Sequence, residues 1–341
     1  MTLVSQLTER ELVARIRQRL APPPDWLLVG IGDDAAVVEP ERNRVEVFTV
    51  DAIVDGVHFD RAFTPPDAIG YRALAVNLSD LAAMGAAPRL ALLSMALPAS
   101  LPLDDFDGIA DGVAALAVDQ RLHVVGGNLT RSPGPLTIDV TVVGTVKRRQ
   151  ALTRGGARAG DDLYVSGTLG AAAAGLALLK AHAADHPDAS VRSFAPSAAS
   201  AAERYLRPRP RVRLGLMLAR NRAASACIDL SDGLADGLHR IADASGVGMT
   251  IDADALPIDP AARALFDARG DDPIGAALCG GDDYELLFTV RPRTRRRLTA
   301  AERHGGVPLT RIGRCTADRA LVVQRGAATT PVPEGYSHFA P

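Results

Sequence analysis

Lysine is almost missing from this chain. Of 38 basic side chains only Lys147 and Lys180 are lysines, and the rest are Arg. Neither lysine stands in G-x-x-x-x-G-K-[ST], so a P-loop is excluded, and Schiff-base chemistry is disfavoured with it. Cysteine is scarce as well. Cys227, Cys279 and Cys315 lie far apart with no C-x-x-C spacing, which argues against a disulfide framework or a zinc site and for a reducing compartment. Aromatic residues make up 4% and the formal net charge is −2, so the basic excess of a general nucleic-acid binder is absent. The longest apolar run, residues 169–179, is too short to cross a bilayer, and the charged N-terminal segment lacks the apolar centre of a signal peptide. A soluble cytoplasmic protein is the expectation. Glutamate is short too: 9 Glu stand against 31 Asp, with none between Glu46 and Glu203.

What is present is ordinary globular material, 341 residues at 47% hydrophobic, enough for about two domains. Residues 8–20 pattern as an amphipathic helix with Leu12, Val13, Ile16 and Leu20 on one face, stopped by Pro22-Pro23-Pro24. Strands are expected at 45–50, 90–97, 122–125 and 136–146, and helices at 67–84 and 104–119. The Gly-rich, basic stretch KRRQALTRGGARAGDD (147–162) breaks this texture, so the reading divides the chain into domains at 1–148 and 149–341. Beyond it, strands are expected at 163–165, 226–230, 247–251, 285–290 and 311–313, with helices at 169–181 and 232–244. Residues 182–200 read as a variable loop or frayed helix. Both halves mix strands and helices, giving two mixed α/β domains.

Five segments put Asp where strands end or helices begin: GIGDDAAVV (30–38), FTVDAIVDGVHF (48–59), AVNLSDLAAMG (75–85), IDLSDGLADG (228–237) and CGGDDYELLF (279–288). Taken singly, Asp33 or Asp232 reads as a turn or N-cap residue. Asp80 is different, because it interrupts an apolar helix that carries Leu74, Leu78 and Leu81, with Arg72 eight residues back. A buried carboxylate without compensation costs several kcal/mol, so Asp80 needs a partner, and a metal is one natural answer. Carboxylates brought together at ~4 Å repel by about 4 kcal/mol at an effective dielectric of 20. Several Asp therefore suggest Mg²⁺ ions on a polyphosphate, since Asp oxygens suit a small hard cation.

Other features face phosphate or stay neutral. VVGGNLTRSPG (124–134) reads as a strand followed by a Gly-Gly turn, either a plain hairpin loop or a phosphate-facing one with Gly126, Gly127 and Asn128. Arg154 is either a linker charge or a phosphate fork, and Ser231 either caps the next helix or binds phosphate at its N-terminus. RYLRPRPRVRLG (204–215) reads as a solvated helix entry or an electrostatic funnel for anions. Cys279 is expected in the core. Tyr336 is a candidate for stacking on a flat ligand or for anchoring the C-terminus.

Taken in order, GIGDDAAVV, TVDAIVDGVHF, YRALAVNLSDLAAMGAAP, VVGGNLT, ALTRGGARAGDDLYVSGTLG, LRPRPRVRLG, IDLSDGLADGL, GGDDYELLFTV and GYSHF resemble the thiamine-monophosphate kinase family from about residue 30 to 339. The Asp-rich pieces alone resemble a wider superfamily that includes aminoimidazole ribonucleotide synthetase, selenophosphate synthetase and a hydrogenase maturation factor. The resemblance implies a homodimer whose N-terminal sheets join into a barrel-like interface, with an N-terminal ATP/Mg²⁺-binding and dimerisation domain and a C-terminal domain completing the active site. It implies ATP-dependent phosphorylation of thiamine monophosphate to thiamine diphosphate with several Mg²⁺ ions, and no nucleic-acid or membrane partner. By resemblance, Asp34, Thr49, Asp51, Asp80, Asp229 and Asp232 fall on Mg²⁺ positions, joined by Asn128. Gly127, Asn128, Arg154 and Ser231 fall on ATP positions, and His58, Asp282 and Tyr336 on thiamine-phosphate positions. Two residues depart from the family pattern: Asn128 where many relatives have Asp, and Asp282 where Glu is usual.

An acceptor phosphate with a second pKa of about 6 is largely ionised at pH 7, so no general base or protein nucleophile is expected. Positioning and charge neutralisation in a direct in-line transfer would suffice. Two rivals stay open on sequence: another ATP-dependent superfamily enzyme, and a nucleotide-binding maturation or scaffold protein. The sequence ending His338-Phe339-Ala340-Pro341, without the cysteine such a factor needs, counts against the hydrogenase version.

Overall fold

Thr8 opens the first helix, α1 (Glu9–Arg19), by accepting a hydrogen bond from the Glu11 amide while the Glu11 carboxylate accepts one from the Thr8 amide. This reciprocal pair satisfies two donors that would otherwise be orphaned. Leu12 and Ile16 are the buried positions of α1, and Leu20 follows as its C-cap. The computed structural model describes residues 2–185 and 196–335. The chain forms two units, one of residues up to Leu78 plus Ala87–Arg148, the other of Ser79–Ala86 plus residues from Arg149 on.

The first unit continues with β1 (Leu27–Val29), β2 (Val37–Val38), β3 (Arg44–Val54), α2 (Pro66–Ala83, its last turn in the second unit), β4 (Ala87–Pro98), α3 (Leu103–Asp119), β5 (His123–Ser132) and β6 (Thr137–Lys147). Its four-stranded sheet runs β3-β6-β4-β5, antiparallel except for the β4–β5 pair. Along β3 the pleat separates Val47, Thr49, Asp51 and Ile53, which are half-buried or buried, from Glu46, Phe48, Val50 and Ala52, which are exposed. The β1–β2 hairpin starts beside Trp26, whose ring meets His123 edge-on and lies 4.5 Å beneath the Arg89 guanidinium.

The expected Gly126-Gly127 turn is instead the middle of β5. Gly127 pairs with Leu93 of β4, and a Cβ there would lie 1.8 Å from the Leu93 carbonyl oxygen. The glycine answers a close backbone approach between parallel strands, a demand that looks like a turn signal in sequence.

The second unit contains β7 (Asp162–Ser166), α4 (Ala171–Asp185), α5 (Pro196–Leu206), α6 (Val212–Asn221), β8 (Ala226–Asp229), α7 (Leu234–Ser245), β9 (Gly248–Asp252), α8 (Pro260–Arg269), α9 (Pro273–Cys279), β10 (Leu286–Val290), α10 (Thr299–His304), β11 (Leu309–Thr316), β12 (Leu321–Arg325) and β13 (Ala328–Pro331). The seven-stranded sheet has the order β13-β12-β9-β11-β7-β10-β8, antiparallel except where β12 meets β9. Strands β7 and β10 are buried at every residue, as expected of strands covered on both faces. The segment read as a variable loop or frayed helix at 182–200 contributes the end of α4 and the start of α5, with residues 186–195 outside the described residues.

Two sequence readings are corrected here. Cys279 is exposed: Ile274, Ala277 and Leu278 form the buried face of short α9, and position 279 falls off that face at the helix end. The Arg-rich segment is neither a solvated entry nor a funnel where it matters most, because Arg204 and Arg211 turn inward onto the buried Glu285. Among the described residues no helix is long and apolar enough to cross a membrane.

Candidate active site

In the second unit the chemistry gathers where α2 ends and β8 ends. Helix α2 closes through the Gly85 amide to the Ala82 carbonyl (3.0 Å) and the Ala86 amide to the Leu81 carbonyl (2.8 Å), the paired bonds of a Schellman stop. One turn earlier, the Ser79 hydroxyl donates to Asp229 Oδ2 at 2.7 Å, and both side chains are buried. Burial pushes the Asp229 carboxyl up to about 7, and the negative charge of Asp80 adds to the rise. The Ser79 bond and the Arg154 guanidinium pull in the opposite direction.

Asp232 follows three residues later. It is not the cap of α7, because that place is taken by Gly233, which has no capping side chain. Asp232 instead lies 3.7 Å from the Arg240 guanidinium, which also binds Asp236. The Ser231 carbonyl accepts the Asp282 amide at 2.7 Å, and the Tyr284 hydroxyl donates to Asp282 Oδ1 at 3.3 Å. The structure thus brings Asp80 and Arg154 each within electrostatic reach of Asp229 and ties Ser231 to Asp282 through the backbone.

In the first unit, Thr49 and Asp51 share the more buried face of β3. His58 is bound back to that strand: the Val54 amide donates to its Nδ1 at 3.1 Å, which fixes that nitrogen as the acceptor and leaves the proton of a neutral ring on Nε2. Asp34 is exposed, and its amide donates to Asp33 Oδ1 at 2.9 Å, so Asp33 is a turn residue. Gly127 and Asn128 are exposed on β5, with Asn128 opposite Ser94. Tyr336 lies outside the described residues.

Among the described residues no three His, Cys, Asp or Glu side chains form a metal-sized cluster. The donors gathered around Asp229 are nevertheless oxygens, the set a hard cation takes, and the raised carboxyl beside a second acid is the cost that a bound cation would remove. Sequence reasoning passed over Ser79 and Arg240. A polar residue beside Asp80 in an otherwise apolar helix was the available signal for Ser79. For Arg240 the signal was its place four residues after Asp236 on α7.

Residues 32–146 match the family model described as AIR synthase related protein, N-terminal domain, and residues 158–326 match its C-terminal domain. Thiamine-monophosphate kinase of Salmonella typhimurium is 39% identical over 97% of this chain and 98% of its own length. The crystal structure of thiamine-monophosphate kinase from Stenotrophomonas maltophilia superposes with a TM-score of 0.82 at 42% identity, covering 94% of this chain and 98% of that one. The structure of AaThiL complexed with AMPPCP and TMP gives 0.75 at 32% identity, covering 99% of each chain. On these matches the chain belongs to the AIR synthase related proteins and, within them, to the thiamine-monophosphate kinase family.

Proposed function

We propose that this protein transfers the terminal phosphoryl group of ATP to thiamine monophosphate, forming thiamine diphosphate. The observation that carries the reading is the near full-length likeness to a relative held with AMPPCP, in place of ATP, and TMP. The pairing of buried Ser79 and Asp229 beside Asp80 supports it, because carboxylate oxygens are the ligand type that a metal–nucleotide complex takes.

The residue roles are those that the resemblance to the thiamine-monophosphate kinases implies. In the first unit Asp34, Thr49, Asp51 and Asn128 are metal-binding candidates, Gly127 and Asn128 face ATP, and His58 faces thiamine monophosphate. In the second unit Asp80, Asp229 and Asp232 are metal-binding candidates, Arg154 and Ser231 ATP-binding candidates and Asp282 a thiamine-monophosphate candidate, and Tyr336 is assigned to thiamine monophosphate by resemblance alone. Mg²⁺ held by these carboxylates would neutralise phosphate charge. Arg154 offers a planar fork to a phosphate group, and Ser79 holds Asp229 in one orientation. The acceptor phosphate is already ionised at neutral pH, so the side chains position and screen the reactants without abstracting a proton.

A second copy of the chain is the natural cover for the outer face of the sheet, where Phe48 (66% exposed) and Val50 (57%) of β3 are separated by β6 from Leu92 (40%) of β4. This supports a homodimer joined sheet to sheet into a barrel-like interface. Direct in-line transfer is tested by rapid quench with ATP labelled at the γ-phosphorus. The label is expected to pass to thiamine diphosphate with none on protein, and a protein-bound phosphate that forms and decays at the turnover rate would refute it.

A further inference from the structure

Glu285 is fully buried and accepts hydrogen bonds from three side chains. Ser166 Oγ lies at 2.6 Å, Arg204 Nη2 at 2.8 Å and Arg211 Nε at 2.6 Å, with a second bond from Arg211 Nη2. The Gly167 backbone packs against the carboxylate, since a Cβ there would lie 2.1 Å from Glu285 Oε1. Arg204 belongs to α5, and Arg211 is the residue from which α6 starts. A buried Arg–Glu–Arg group is a poor device for stability alone, because apolar residues of similar volume often serve as well. Its distinctive property is fixed geometry.

That geometry reaches the substrate loop. Glu285 ends the stretch Gly280–Glu285, which is laced to the loop after β8. The Leu230 amide donates to the Glu285 carbonyl (2.8 Å), the Tyr284 amide to the Leu230 carbonyl (2.9 Å) and the Asp282 amide to the Ser231 carbonyl (2.7 Å). On the other flank the Asp283 carboxylate accepts the Gly170 and Ala172 amides at 2.7 and 3.3 Å. Between these anchors Asp282 and Tyr284 take φ of 68° and 50°, in the left-handed region. For non-glycine residues such values cost roughly 1–2 kcal/mol each and persist only where the surroundings impose them.

We propose that Arg204 and Arg211 are positioning residues for acceptor specificity: through Glu285 they hold the 280–285 backbone so that Asp282 is presented to thiamine monophosphate. The proposal rests on the reading of Asp282 as a thiamine-phosphate contact. Asp has a short side chain, so the backbone must supply the placement, and a displacement of about 1 Å can cost on the order of 100-fold.

The test uses Arg211→Lys and Arg204→Lys, which keep the charge and remove the two-pronged fork. Each variant is assayed for the KM of both substrates and for amide exchange in residues 280–286. The expected result is a KM for thiamine monophosphate raised at least tenfold, a KM for ATP within threefold of wild type, and exchange at Asp282 and Tyr284 at least tenfold faster. The ATP site is expected to change less because Asp229 is also held by the Ser79 bond, which lies outside the 280–285 stretch, while Ser231 shares that stretch's backbone bonds. An unchanged KM and unchanged exchange, with only a lower melting temperature, would overturn the proposal and leave the triad a packing feature. Both readouts report on folded protein, and Arg204→Lys carries the test if Arg211→Lys does not accumulate. If wild type fails to turn over thiamine monophosphate, the proposed function falls, while the exchange arm still decides the positioning.

Discussion

Replacing Ser79 by Ala isolates one bond in the candidate metal site. The hydroxyl donates to Asp229 Oδ2 at 2.7 Å in a buried setting, so its loss removes a charge-assisted bond. Such bonds contribute about 1.5–3 kcal/mol, and partners of metal-binding groups change affinity by roughly 10–100-fold. Helix propensity cannot explain a loss, because Ala is the better helix former, and the cavity left by one oxygen is small. The expected outcome is a Mg²⁺ concentration for half-maximal rate raised 10–100-fold, with the melting temperature within a few degrees of wild type. Calorimetric Mg²⁺–nucleotide binding without acceptor should weaken by the same factor. A Mg²⁺ dependence within twofold of wild type would refute the role assigned to Ser79 and the metal-binding role of Asp229 with it.

Two further perturbations probe the fold around the site. Burial pushes the Asp283 carboxyl from the usual 3.8 up to about 7 against the pull of the Gly170 amide and Arg204. The folded state therefore holds this proton more tightly than the unfolded chain. Its stabilising contribution is complete below pH ~4 and lost as pH rises through ~7, amounting to roughly 4 kcal/mol if the whole shift is expressed. Urea unfolding should lose this slope in Asp283→Asn, and a wild-type-minus-variant difference that stays flat from pH 4 to 7 would contradict it. Phe48→Asp places a charge on the exposed outer face of β3 and should weaken self-association at least 30-fold, as expected for a central anchor worth about 2 kcal/mol or more. Sedimentation velocity checks this, and an unchanged mass would remove that face from the interface.

The sequence made long, locally patterned elements legible and hid those shaped by distant partners. Helix α2 was expected at 67–84 and runs Pro66–Ala83, because an apolar stretch ended by Gly85 leaves few alternatives. Helix α6 was missed, since its buried Val212, Leu214, Leu218 and Ala219 are interleaved with Arg and preceded by proline, and the charges dominated the pattern. Gly127 shows the limit of glycine as a turn signal, as its demand comes from a carbonyl on the neighbouring strand. Asp80 could be singled out from its own helix, but its neighbour Asp229 could not be paired with it by spacing. Ser79 and Asp229 are 150 residues apart, and only the fold joins them. Glu285 was invisible for the same reason, with Arg204 and Arg211 read as surface charge until the structure turned them inward.

The central claim is metal-dependent phosphoryl transfer to thiamine monophosphate, and the most direct measurement is coupled ADP release by the purified protein. ADP should form only when ATP, Mg²⁺ and thiamine monophosphate are all present, with one thiamine diphosphate produced per ADP. ADP release at the same rate without thiamine monophosphate, or none at saturating substrates and metal, would contradict it.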